Sequence, residues 1–178
     1  RYRSVVEQIP AVTYVDVSGP ERVRMAFLSP QIETLLGYSA STFLDDADQW
    51  FDLVHPEDLD RVDAAARRAG NDGDPFDEEY RMRHADGHWV WVHDTSKPVQ
   101  DRSGEGTTYF QGFLVDISAR KEAEAARAEA EHRYRTMVEA LPAVTYIDEP
   151  IEGEDLTATM PFVSPQIEAI LGYPVERF

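Results

Sequence analysis

The sequence predicts an α+β fold built on one antiparallel sheet of about five strands. Three observations carry this. Two strand-like runs separated by a turn open the chain, a series of short helix starts follows, and three longer runs with strand character come after them.

Ala11 to Val17 reads as the first strand, and Ser18-Gly19-Pro20 turns the chain into a second, Arg22 to Leu28. Ser29 before Pro30 marks a helix start. The hydroxyl is expected to cap free amides, and proline at the first position gives up only an amide that had no partner. Gly37 ends that helix, because glycine takes left-handed backbone at little cost. Ser39 is expected to cap a second short helix, while Trp50, Phe51 and Val54 anchor a third. His55-Pro56-Glu57-Asp58 opens a fourth, running roughly from Glu57 to Gly70, with His55 capping or bracing its start. Its two acids sit where the helix dipole favours negative charge. Leu59, Val62, Ala66 and Ala69 form its apolar stripe.

Phe76 to Arg83 alternates, with Phe76, Tyr80 and Met82 opposed to Asp77, Glu79, Arg81 and Arg83. Asp86-Gly87 is a hairpin turn. The returning run, His88 to Lys97, sets Trp89 and Trp91 against Val90 and Val92 and reads as apolar on both faces, so cover is expected on each side. A polar turn from Asp101 to Gly106 leads to the last strand, Thr107 to Asp116.

An internal repeat organises the chain. YRSVVEQIPAVTYVD from Tyr2 returns as YRTMVEALPAVTYID from Tyr134, and FLSPQIETLLGY from Phe27 returns as FVSPQIEAILGY from Phe162. The expected organisation is a domain over 1–118, a helical linker over 119–141 and the first part of a second copy over 142–178. That second copy keeps Val144, Tyr146, Phe162, Ile167, Ile170 and Leu171 without the later strands that would cover them, so shelter by another chain is expected. The chain opens at Arg1 rather than methionine and is read as an excised piece.

Charge and composition narrow the function classes. Seventeen basic residues stand against 34 acidic ones, a net charge of -17, with 42% hydrophobic residues and no cysteine. A surface so acidic repels nucleic acid and anionic lipid, so neither partner is expected. The acids crowd into residues 40–80, read as a solvated face, with docking of a basic partner as the alternative. No apolar run approaches the roughly 20 residues of a membrane span, and no signal peptide opens the chain, so a soluble, cytoplasmic protein is expected. Without cysteine there are no disulfides, thiolate metal sites or thiol nucleophiles. No G-x-S-x-G elbow exposes a serine nucleophile. His84 and His88 flank the hairpin turn and His93 lies beyond it. Zinc needs three or four converging ligands, and alternation puts His88 and His93 on opposite faces, so exposed histidines and no metal site are expected. His132 is not read as a phosphoacceptor, since Arg133-Tyr134-Arg135 copies Arg1-Tyr2-Arg3.

In this order and spacing, Phe27-Leu28-Ser29-Pro30-Gln31, Leu36-Gly37-Tyr38-Ser39, His55-Pro56-Glu57-Asp58, Tyr80-Arg81-Met82-Arg83, Asp86-Gly87, Trp91, Gly112 and Asp116-Ile117-Ser118 resemble a bacterial PAS domain with its PAC segment. The resemblance covers residues 2 to 121 and part of the second copy. It implies a PAS fold, a five-stranded antiparallel sheet with short helices on one face enclosing a ligand-sized cavity, followed by a long C-terminal linker helix. It also implies a sensory, signal-relay and dimerisation module, with a catalytic output of histidine kinase, diguanylate cyclase or phosphatase type elsewhere. A ligand-free interaction scaffold is the alternative, and a self-contained enzyme a remote one for which no convergent acid, base or metal constellation is seen.

The residues disfavour the family's usual cofactors. Thiol-dependent flavin or chromophore photochemistry is excluded by the absent cysteine, and Leu114 stands where flavin-binding members carry glutamine. The long helix lacks the histidine of haem members. No cofactor is expected, with non-covalent flavin and haem as remote alternatives. A ligand would be lined by Tyr14, Phe27, Leu36, Phe51, Val62, Tyr80, Met82, Val90, Val92, Phe110 and Leu114, unless these simply fill the core. Mostly apolar lining with Tyr14 and Tyr80 as polar handles suits a small hydrophobic or aromatic molecule. A bulge could reverse one strand's faces.

Asp116, Ile117, Ser118 and Arg120 are the expected relay into the linker, a helix rich in alanine, glutamate and arginine from Ala119 to Leu141. Its seam, Ala119, Ala123, Ala126, Ala130, Tyr134, Met137 and Leu141, is coiled-coil spacing with one stutter. Glu129 with Arg133 and Glu131 with Arg135 are spaced to pair. A homodimer is expected, with Trp89, Trp91, Tyr109 and Phe113 on an outer sheet face covered by a helix or a second subunit, and other domains of the same signalling protein as further partners.

Overall fold

The structure is a computed structural model describing residues 11–18, 23–46, 48–100, 108–141, 143–150 and 158–177. The turns read at Gly19-Pro20 and Asp101 to Gly106 lie outside the described residues. Two compact units are present, 1–121 and 122–178.

The first unit contains strands β1 (Val12–Ser18) and β2 (Val23–Leu28), then helices α1 (Gln31–Leu36), α2 (Ala40–Asp45), α3 (Asp48–Asp52) and α4 (Pro56–Asp72), then strands β3 (Phe76–Arg83), β4 (Trp89–Gln100) and β5 (Thr108–Asp116). The strands form one antiparallel sheet in the order β2-β1-β5-β4-β3. Helix α5 (Ser118–Ala140) leaves β5 and runs into the second unit. There, β6 (Tyr146–Pro150) pairs with β7 (Ala158–Val163), followed by α6 (Gln166–Leu171) and a short 3-10 turn, Val175–Arg177.

The core lies between the helices and one face of the sheet. Alternation places Val12 and Tyr14 of β1, Tyr80 and Met82 of β3, Val90 and Val92 of β4, and Phe110 and Leu114 of β5 on that face, all buried. Three glycines take positive φ at the ends of α1 and α4 and in the hairpin: Gly37, Gly73 and Gly87.

Several local expectations need correction. Ser29 does not cap α1, because Pro30 occupies the cap position. Instead its hydroxyl accepts from Thr13 N–H at 2.9 Å while its own N–H donates to the Thr13 carbonyl at 2.9 Å, so it stitches the helix entry to β1. Ser39 likewise makes no side-chain bond to an α2 amide, its hydroxyl bonding Ser41 at 2.6 Å. Helix α4 continues past Gly70 to Asp72, and its buried face is Asp58, Val62, Ala65 and Ala69, with Leu59 and Ala66 at the margin. Phe27 is only half-buried, because the β1–β2 register shifts between Val15 and Asp16. That bulge pairs Phe27 with Val15 on the outer face and leaves Met25 and Leu28 inside.

Candidate ligand site

A cavity of about 140 Å³ lies between the inner sheet face and the helices. Helix α4 contributes Val62, Ala66, Ala69 and Gly70, small enough to leave space over the sheet, and α3 contributes Trp50 and Phe51. The strands supply Tyr14, Asp16, Met25, Phe76, Tyr80 and Phe110, together with Asp94 and Ser96 of β4.

Of the residues expected to line a ligand, the structure brings Tyr14, Phe51, Val62, Tyr80 and Phe110 to the cavity. Leu36, Met82, Val90, Val92 and Leu114 are buried in the surrounding core without lining it, and Phe27 is on the outer face. The sequence reading missed the cavity's polar part, Asp16, Asp94 and Ser96. The signal was present, since Val90, Val92, Asp94 and Ser96 are every second residue of one strand, and all four are buried.

Asp94 is the centre of a closed hydrogen-bond network. The Tyr14 hydroxyl donates to Asp94 Oδ1 at 2.7 Å, the Tyr80 hydroxyl donates to Oδ2 at 2.7 Å, and Trp50 Nε1–H donates to the Tyr80 hydroxyl at 3.1 Å. The Ser96 side chain bonds the Tyr14 hydroxyl. Burial pushes the Asp94 carboxyl up to about 6, against the lowering effect of the tyrosine hydroxyls and of His93. Both phenols are raised well above their ordinary range, first by burial and then by the Asp94 charge. Asp16 is pushed up to about 7 by burial and by the Asp94 charge, and its Oδ1 meets no hydrogen-bond donor among the described residues.

The other end of β4 is tied to the outgoing helix. Ile117 N–H donates to the Trp91 carbonyl at 2.9 Å, Trp91 N–H donates to Ser118 Oγ at 3.1 Å, and Asp116 Oδ1 accepts from Ser118 N–H at 2.8 Å. Arg120 and Lys121, one turn on, pair with Glu79 of β3 at 2.6 and 2.8 Å. The Lys121 ammonium and the Arg81 guanidinium also cover the Trp91 ring, at 5.0 and 5.2 Å from its centroid. Arg81 is fixed from α4. Asp58 takes its N–H at 3.1 Å and its Nε–H at 2.8 Å, and Glu57 takes Nη2–H at 2.9 Å. Burial alone would raise the Asp58 carboxyl, but Arg81 outweighs it and holds it low. His55 caps α4, its Nδ1 accepting from Glu57 N–H at 3.2 Å. Elsewhere on the outer face, Tyr109 is half-buried while Trp89, Val99 and Phe113 are exposed.

At the β3–β4 hairpin, read as carrying exposed histidines, His88 is exposed and His84 half-buried. His84 and His88 stack at 4.5 Å, and they and Asp86 bring ligand atoms within 4.8 Å of one another. His88 lowers the Asp86 carboxyl to about 2, first through its backbone N–H, with a smaller effect from His84. These contacts close the turn. His93 stands apart, bonded to Asp77 at 2.7 Å.

A five-stranded antiparallel sheet in this strand order, short helices over one face enclosing a cavity, and a helix leaving the last strand through Asp-Ile-Ser make a specific architecture. Residues 25–113 match the PAS fold family. The chain belongs to that family. The PAS chain is 31% identical over 147 residues to the two-component sensor PprA of Pseudomonas aeruginosa, a match covering 81% of this chain and 15% of that protein. It is 37% identical over 99 residues to the methyl sulfide methyltransferase-associated sensor of Methanosarcina acetivorans, covering 55% of this chain and 10% of the relative. Among solved structures it resembles the N-terminal domain of a diguanylate cyclase with PAS/PAC sensor from Marinobacter aquaeolei. That match has a TM-score of 0.54 at 30% identity and covers 62% of this chain and 98% of that one. The chain thus spans a small part of the curated relatives' length. It is a sensory signal-transduction module. Among the described residues, no helix is long and apolar enough to cross a membrane.

Proposed function

We propose that this PAS domain senses a small ligand in the inner cavity and passes its state to α5 through β4. One observation carries the reading. The strand that places Asp94 in the cavity also holds the first turn of α5, through the reciprocal hydrogen bonds of Trp91 with Ile117 and Ser118. A change in the partners of Asp94 therefore acts on a strand whose neighbouring segment fixes the helix. The output is another domain of the same signalling protein, of histidine kinase, diguanylate cyclase or phosphatase type. The named sensors and the cyclase-linked neighbour support that class.

The junction is testable by hydrogen exchange. Ser118→Ala removes the acceptor for Trp91 N–H, and exchange is expected to rise at Trp91 and through the first two turns of α5 while β1 and β2 stay unchanged. Unaltered exchange in α5 would remove the proposed coupling.

A second reading, a dimerisation scaffold that works without ligand, is favoured by the exposed apolar residues Trp89, Val99 and Phe113 on the outer face. The two readings are compatible, since a dimer contact on the outer face leaves the inner cavity untouched.

A further inference from the structure

The cavity's polar atoms can be sorted into donors already used and acceptors still open. The hydroxyl protons of Tyr14 and Tyr80 both go to Asp94, and the Trp50 N–H goes to Tyr80. Ser96 is engaged with the Tyr14 hydroxyl. Among the described lining residues no side-chain donor is left over to greet an anion or a carbonyl. What remains is acceptor capacity: the Asp16 Oδ1 without a donor, and the spare lone pairs of Asp94. Aromatic side chains, Trp50, Phe51, Phe76 and Phe110 among them, line the same cavity, and among the described residues no arginine, lysine or histidine does.

Aromatic faces attract cations through their quadrupole, and a desolvated carboxylate does so through its charge. A metal ion would need about six oxygen ligands, which two carboxylates in an apolar box do not supply. We propose that the cavity selects a small organic cation, an ammonium or amidinium, with Asp16 as its counter-ion. The inference rests on reading the cavity as a ligand site. Its volume of about 140 Å³ equals roughly five waters at liquid density, so the cation has about five to seven heavy atoms.

Proton linkage supports the assignment. With Asp16 raised to about 7 and Asp94 to about 6, a cation that needs the ionised carboxylate displaces a proton on binding. The titratable groups facing these carboxyls are Tyr14 and Tyr80, which stay protonated, and His93 acts on Asp94 from the same strand. Affinity for the cation therefore rises with pH through the window from 6 to 7.

The test is an amide chemical-shift titration at pH 8 with three probes of similar shape: tert-butylammonium, tert-butanol and pivalate. The ammonium is expected to shift cavity amides such as Asp16, Ser96 and Phe110 saturably. It should bind about tenfold or more tighter than either other probe, and about tenfold or more tighter than to Asp16→Asn. Asp16 Oδ1 has no donor among the described residues for this variant to lose, so the fold is expected to be retained. Ala66→Leu, which fills the cavity from α4, should abolish binding of every probe. Equal affinity for the alcohol, an Asp16→Asn variant that binds the ammonium unchanged, or binding that survives Ala66→Leu overturns the proposal. If the alcohol or pivalate binds and the ammonium does not, the charge assignment falls while the ligand site stands. If no probe moves a cavity amide, both fall.

Discussion

A methyl group at Gly112 would lie 2.3 Å from Tyr14 Cζ and 2.7 Å from the Thr95 carbonyl oxygen. The Tyr14 ring therefore crosses β5 where a side chain is missing, and only that passage lets its hydroxyl reach Asp94. Gly112 was legible in the sequence as part of the motif order, but its reason was not. The same holds for Asp94. Alternation along β4 points it inward, yet burial of an acid depends on Tyr14 and Tyr80, eighty and fourteen residues away, which no local pattern reveals. Asp16 leads to a prediction. Its carboxyl has a raised folded-state value, so between about pH 4 and 7 the folded chain holds a proton that the unfolded chain has lost. Its contribution to stability is intact below the unfolded value and is lost as pH rises through the folded one. Asp16→Asn removes that loss. Urea unfolding should show the variant about 1 to 2 kcal/mol more stable than the parent at pH 8, less than the full shift because solvent screens a partly open carboxyl, with the gap closing toward pH 4. A variant no more stable at pH 8 would contradict the burial of this charge.

Periodicity, proline and glycine made the strands and helices readable, because each signal is local: Gly37 ends α1 and Asp86-Gly87 turns the hairpin. The bulge that turns Phe27 outward has no such signal, since it inserts one residue into an otherwise regular strand. Helix α5 was legible through its composition and spacing, and its ion pairs form as read, Glu129 with Arg133 at 2.6 Å and Glu131 with Arg135 at 3.6 Å. Its seam is largely uncovered among the described residues. Tyr134 and Met137 are exposed by more than half, and Leu141 by half. Alanines above them bury little area, so self-association through this helix should be weak and concentration-dependent. Light scattering is expected to show a dimer appearing as concentration rises, and Tyr134→Glu with Met137→Glu to return it to monomer. A monomer at every concentration would leave the seam without a role in assembly.

The internal repeat provides a comparison at the scale of the molecule, because related segments fold in two surroundings. Local geometry is kept. Thr145 and Ser164 exchange bonds of 3.0 and 2.8 Å as Thr13 and Ser29 do, and the register of β6 and β7 shifts at the same place as that of β1 and β2. Gly172 ends α6 with positive φ as Gly37 ends α1. Burial is not kept. Tyr14 is 7% exposed and its counterpart Tyr146 57%, while Leu36 is 0% exposed and Leu171 54%. In the first unit β5 pairs with β1, and the β3 to β5 strands complete the core. Among the described residues of the second unit, nothing plays that part. Short-range sequence therefore suffices to set the hairpin and helix, whereas their stability comes from strands that begin only at Phe76 and end at Asp116. Amide exchange measured on the whole chain should separate the two. β6 and β7 are expected to exchange about a hundredfold or more faster than β1 and β2, since their opening exposes little further apolar surface. Equal protection that disappears on dilution would place the missing cover on a second copy of the chain. Equal protection at every concentration would contradict the link between burial and stability argued for the repeat.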